Sequence, residues 1–255
     1  MNRKILFSVI IIILGIGFVA LYDFGCRKGR EANEEQRIKR ELAEIMEIIP
    51  VNKNPDADSI WDFCNKDIKI TNINYYIRTE KNGITVEDYF DIKPKESDYT
   101  DSGIIIRTYD SDAFNSLFRH SIFIDYAKNR MCVENDSDFM ILLTPIVTGK
   151  SWLTKMNLNG EDMDFITEIR RVDLQRSILV NWRSVALDGI IETYYESDKA
   201  VEGGHHLVRL NLRWSPQVNC FTEIVVKKLT ETKKDTLRES IAIVLKEIVI
   251  DTGEK

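Results

Sequence analysis

The stretch Ile73–Ile92, INYYIRTEKNGITVEDYFDI, decides the fold. Asn82-Gly83 at its centre suits a two-residue type I′ turn, because both central positions of that turn take positive φ. Folding the chain about this turn sets Arg78 opposite Glu87. It also brings Ile73, Tyr75, Ile77 and Thr79 beside Ile84, Val86, Phe90 and Ile92 on one face. A one-residue slip would scatter both matches, so a β-hairpin in this register is predicted. Asp88 breaks the pattern, since the register puts it on the apolar face opposite Ile77. A carboxylate buried there is costly unless paired, whereas a bulge or a sheet edge would turn it outward.

Two more hairpins are read in the same way. A turn at Asn159-Gly160 sets Met156 opposite Met163, Thr154 opposite Phe165, and Lys155 opposite Asp164. A turn at Asp188-Gly189 is expected to pair Trp182 with Tyr195. Met140–Val147 is a nearly continuous apolar run and is predicted to be a central strand. His206, Val208, Leu210, Leu212 and Trp214 alternate with polar positions, and Ser215-Pro216 turns the chain into Val218–Val226. Thr236–Ile250 combines a helix-capping pattern with β-branched residues and reads as a strand. Residues 112–119 read as a short helix capped by Asp112. Strands joined by short turns favour antiparallel meanders.

Towards the N-terminus the pattern changes twice. Residues 23–50 read as a helix, with Ile38, Leu42, Ile45 and Ile49 on one stripe and Pro50 ending it. Ile5–Tyr22 carries no charge over its eighteen residues. As a helix it would span about 27 Å, close to the hydrocarbon thickness of a bilayer. It is longer than the apolar core of a cleaved signal and lacks a small-x-small exit. Gly25-Cys26 offers a lipoprotein-type alternative, weakened by Asp23. Arg3 and Lys4 favour an inside N-terminus, Arg27, Lys28 and Arg30 oppose it, and the short head favours a large domain outside.

The expected organisation is a tail (1–4), a transmembrane anchor (5–22), a juxtamembrane helix (23–50) and a soluble β-rich domain (51–255), with a sub-boundary near 134–138. The fold class is α+β and β-dominated: an antiparallel β-meander, as a curved sheet or sandwich, with one short helix. With 35 basic and 41 acidic residues the chain has net charge −6, which argues against nucleic acid as a partner.

No stretch carries a full catalytic signature. Thr144-Pro145-Ile146-Val147-Thr148-Gly149-Lys150-Ser151 resembles a phosphate-binding loop. Thr144 stands where the first glycine belongs, and a strand pattern follows where a helix should start. Glu202-Gly203-Gly204-His205-His206 suggests a metal, yet adjacent strand residues point to opposite faces. Asp110-Ser111-Asp112 and Asp136-Ser137-Asp138 lack the glycine and distant glutamate of a calcium loop. Trp61, Trp152, Trp182 and Trp214, with Tyr194 and Tyr195, read as core or as a platform for sugars or peptides. Cys26, Cys64, Cys132 and Cys220 form no CxxC motif, and Asn135-Asp136-Ser137 is a sequon of the kind chance supplies.

The sequence therefore predicts no cofactor, no metal and no assignable catalytic or binding residue. The expected partners are the bilayer, through residues 5–22, and an envelope protein or a second copy. The leading expectation is a membrane-anchored extracytoplasmic binding or assembly domain. A surface hydrolase or glycan-acting enzyme using converging carboxylates such as Asp88 is the alternative, and nucleotide binding at Lys150 the third.

Overall fold

In a computed structural model the chain is described over residues 33–49, 68–93, 98–100, 103–106, 122–125, 130–133, 136–158, 161–201, 203–233 and 235–252. It divides into two compact units, Met1–Glu47 and Ile48–Lys255. The expected anchor at 5–22, the helix at 112–119 and the turn at Asn159-Gly160 lie outside the described residues. Among those residues, no helix is long and apolar enough to cross a membrane.

Helix α1 covers 33–48, about 24 Å at 1.5 Å per residue. Ile38 and Leu42 are half-buried, while Ile45 and Ile49 are buried. On its solvated side Arg37 lies 2.5 Å from Glu34, and Lys39 lies 2.7 Å from Glu35. Such helical pairs each contribute only a few tenths of a kcal/mol, about 0.3–0.5.

The other described elements are β-strands. The strands are β1 (Ile70–Lys81), β2 (Ile84–Ile92), β3 (Asp98–Thr100), β4 (Gly103–Ile106), β5 (Ile122–Asp125), β6 (Arg130–Val133) and β7 (Asp136–Leu143). They continue as β8 (Ser151–Leu158), β9 (Glu161–Val180), β10 (Arg183–Val201), β11 (Gly204–Ser215), β12 (Cys220–Thr232) and β13 (Thr236–Ile250). Two sheets result: an eight-stranded one, β2-β1-β13-β12-β11-β10-β9-β8, and a five-stranded one, β3-β4-β5-β6-β7. Each is a meander over β8–β13 and β3–β7. The β1–β2 hairpin joins the larger sheet by pairing with the C-terminal strand β13. Residues 136–138 begin β7.

The first two hairpins have the expected registers. Arg78 faces Glu87, Ile77 faces Asp88, and Asn82 and Gly83 take φ of 51° and 80°. Lys155 faces Asp164, and Met156 faces Met163. The third differs: the chain turns at Asn181-Trp182, with φ of 46° and 66°, and Arg183 faces Val180. Asp188-Gly189 instead forms a bulge inside β10, where two residues oppose one between the Leu187–Arg176 and Ile190–Leu174 pairs. Gly189 takes φ of 62° there. The left-handed conformation that suits Asp-Gly to a turn suits it equally to a bulge. The Asp188 N–H, taken out of the ladder, donates to Oε1 of buried Gln217 at 2.7 Å.

Bulges bend the strand that carries them, and β9 reaches β13 in a short parallel contact, Leu179 with Glu247 and Val180 with Ile248. Strands β9 to β13 thereby close into a ring of hydrogen-bonded neighbours. Asn181 fastens the seam with its N–H to the Ile248 carbonyl at 3.0 Å and its Nδ2 to the Ile250 carbonyl at 3.1 Å. Its Oδ1 accepts from the Ile250 N–H at 2.9 Å. The covered face carries Leu210, Leu212, Trp214, Phe221, Ile224, Val226 and Ile243, all buried. Trp214 and Phe221 meet edge to face at 5.1 Å between ring centres. Burying side chains of this size contributes about 1.5–3 kcal/mol each.

The apolar run Met140–Val147 is not a central strand, because β7 ends at Leu143 on the edge of the smaller sheet. It is apolar because that edge is covered by side chains of the larger sheet. The Met140 N–H donates to Thr154 Oγ1 at 2.7 Å, and Tyr195 OH donates to the Ile141 carbonyl at 3.0 Å. Burial raises the Tyr195 phenol well above its ordinary value, which keeps it a donor.

Candidate functional site: the open edge of the large sheet

Strand β2 ends the eight-stranded sheet. In a hairpin closed by a two-residue turn, the flanking pair Lys81–Ile84 is hydrogen-bonded, and every second pair after it is too. Val86, Asp88, Phe90 and Ile92 therefore point their backbone groups at β1. Thr85, Glu87, Tyr89 and Asp91 point theirs away from the sheet. Side chains alternate along the other axis. Ile84 and Val86, 71% and 62% exposed, lie on the face that elsewhere forms the core. Thr85, Glu87, Tyr89 and Asp91 lie on the opposite face.

Asp88 is exposed, and its Oδ1 accepts from the Tyr89 N–H at 2.8 Å. Its place opposite Ile77 raises no conflict, since the apolar face is uncovered at this corner. The carboxylate caps an outward amide of an edge that no strand pairs among the described residues, a common protection against strand addition. Glu87 lies 3.8 Å from Arg78, both about half exposed, and also takes a hydrogen bond from Tyr76. That bond, more than burial, raises the Tyr76 phenol. Asp91 accepts from Asn74 at 2.8 Å and Asn72 at 3.4 Å, so its charge meets neutral donors.

The other sequence candidates fall in separate places. Lys150 donates to the carbonyl of Thr144 in its own loop, and β8 follows directly. The Gly149 N–H donates to the Ile169 carbonyl at 2.8 Å, which ties this loop to β9. His205 Nδ1 lies 3.3 Å from Asp198, while His206 Nδ1 lies 2.7 Å from Thr230 Oγ1, so the two imidazoles diverge. Among the described residues no group of three or more His, Cys, Asp or Glu could hold a metal. Trp214 and Tyr195 are core and Trp152 is half-buried, whereas Trp182 is 75% exposed at its turn. Trp61, Cys26, Cys64 and Asn135 are outside the described residues; Cys132 and Cys220 are buried.

An ionic row that the sequence reading missed crosses four strands. Arg171 faces Glu192, Glu192 faces Arg213, and Arg213 pairs with Glu223. Arg176 approaches Glu223 at 3.5 Å. Glu192 is only 6% exposed; Arg213 Nε and Asn211 Nδ2 donate to it at 2.9 and 3.0 Å. Burial pushes its carboxyl up, but these bonds and the arginine charges outweigh burial and hold it below the usual range. Beside it Arg170 lies over the Tyr194 ring at 3.3 Å, and Glu196 accepts from Tyr194 OH and Arg209 at 2.6 and 2.8 Å. These carboxylates are engaged by cations on neighbouring strands, an arrangement that fixes register. Only registers found after folding could have revealed the row, because its members span residues 171 to 223.

Comparison of the chain with protein-family models, with curated proteins and with solved structures finds no match.

Proposed function

We propose that the chain is a single-pass, bilayer-tethered protein whose β-rich unit works outside the cytoplasm, binding another envelope protein. The observation that carries the binding role is the open edge at β2, where Ile84, Val86 and Tyr89 are 71%, 62% and 61% exposed. Solvated apolar residues beside unpaired backbone groups are a hazard in a free protein and an asset in a binding one. The tether rests on the eighteen uncharged residues of Ile5–Tyr22, and the orientation on the short head before them.

A photo-crosslinking residue placed at Thr85 in cells, with an exposed control at Asp198, tests the binding role. One defined adduct at position 85, identified by mass spectrometry and missing at 198, is expected; equal labelling at both sites would refute it. Carbonate extraction and protease shaving of the same cells test the tether. The chain should stay with membranes and be cleaved once the outer barrier is opened. Protection until the inner membrane breaks would refute the orientation.

A further inference from the structure

We infer that the occupant of the β2 edge is an extended, basic polypeptide segment that adds a ninth strand to the eight-stranded sheet. This rests on the binding role proposed above and specifies the chemistry of the partner. Three properties of β2 define it.

The first is the backbone. Thr85, Glu87, Tyr89 and Asp91 present their N–H and C=O groups outward, the complement of a strand in extended conformation. The second is the apolar row. Val86, Thr79, Ile241, Val226, Leu210 and Tyr195 lie side by side across six strands, and the last three are buried. A residue arriving beside Val86 continues this row, so the incoming strand needs β-branched apolar residues at alternate positions. The third is charge. Glu87 and Asp91 sit four apart on the opposite face, and Asp88, between them in sequence, lies on the Val86 face, three carboxylates in nine residues. Basic residues at the intervening positions of the incoming strand would answer Glu87 and Asp91.

The same charges disfavour a second copy of β2. Two-fold antiparallel pairing centred on Glu87, Asp88 or Tyr89 sets Glu87 against Glu87, Asp88 against Asp88, or Glu87 against Asp91, and like charges directly opposite are destabilising across strands. Asp88 adds selectivity, because its carboxylate holds the Tyr89 N–H until a competing strand takes that amide.

The test uses the full chain and three labelled nonapeptides, followed by fluorescence anisotropy. One alternates valine with lysine, its twin alternates valine with glutamate, and the third is the lysine peptide with alternate amides N-methylated. The lysine peptide should bind at least about tenfold more tightly than the glutamate twin, and N-methylation should abolish binding. Thr85→Pro removes an outward N–H while leaving the pairing to β1, and should abolish binding too. The pair Glu87→Gln and Asp91→Asn should reduce the preference for lysine over glutamate to within about twofold. Equal binding of both charge forms, lost with Thr85→Pro, would overturn the basic partner and leave the edge reading standing. Binding that survives both N-methylation and Thr85→Pro would overturn the edge itself. Failure of the lysine peptide to bind, with a dimer of the chain that Thr85→Pro dissolves, would overturn the inference in favour of self-pairing.

Discussion

Asn181→Ala should be among the more damaging single changes in the larger unit, although its side chain hydrogen-bonds to backbone groups. Two side-chain hydrogen bonds to Ile250 are lost, of 3.1 and 2.9 Å, at a net of about 1 kcal/mol each. Residue 181 also takes φ of 46°, where an alanine adds about 1–2 kcal/mol of left-handed strain. The total is about 3–4 kcal/mol. Asn181→Gly separates the terms, since glycine accepts the dihedral and loses only the hydrogen bonds, about 2 kcal/mol. Asn181→Asp keeps the acceptor for the Ile250 N–H but sets an oxygen against the Ile250 carbonyl, so it should fall below glycine. Equilibrium urea unfolding of the full chain, followed by far-ultraviolet circular dichroism, should rank wild type above glycine and glycine above alanine. Alanine and glycine variants both within about 0.5 kcal/mol of wild type, the ordinary scatter of surface substitutions, would refute the seam that Asn181 is held to fasten.

Trp182→Gly should leave stability unchanged or raise it by about 1 kcal/mol, because the indole is mostly solvated and φ is 66°; a loss beyond that in the same unfolding assay would reveal a contact the turn depends on. Gly204→Ala should fail to fold or lose more than about 4 kcal/mol, since a Cβ there would lie 1.6 Å from the Glu231 carbonyl oxygen; a soluble variant with wild-type thermal stability would contradict the close approach of β11 and β12. Glu192→Gln should cost about 1–3 kcal/mol at neutral pH and flatten the acid limb of the stability curve. Its folded carboxyl titrates below its unfolded one, so the stabilisation is complete above the unfolded value and disappears as pH falls through the folded value. An unchanged acid limb in pH-dependent unfolding would show that the row contributes nothing.

The sequence made two hairpins legible because register and turn chemistry agreed locally at Asn82-Gly83 and across Met156–Met163. It misled at Asp188-Gly189, where the same left-handed preference served a bulge that only Gln217, twenty-nine positions from Asp188, could complete. Nothing near Asn181-Trp182 favours a turn with a bulky second residue. The parallel contact that closes the ring joins residues 179–180 to 247–248, and local periodicity carries no trace of it. Met140–Val147 looked central because Ile141, Leu142 and Ile146 are buried beside an edge roofed by Thr154, Trp152 and Tyr195. Asp88 broke the alternation, yet its exposed place opposite Ile77 raises no conflict; alternation reports faces and not edges, so its capping of the Tyr89 amide became visible only with the strand order.

Residue-resolved amide exchange across β2, alone and with the valine–lysine peptide, tests the open edge most directly. Thr85, Glu87 and Asp91 should exchange fast in the free chain, Val86, Asp88 and Phe90 slowly, and the outward amides should become protected when peptide is added. Protection of the outward amides in the free chain, or none gained with peptide bound, would contradict an edge that is open and built to receive a strand.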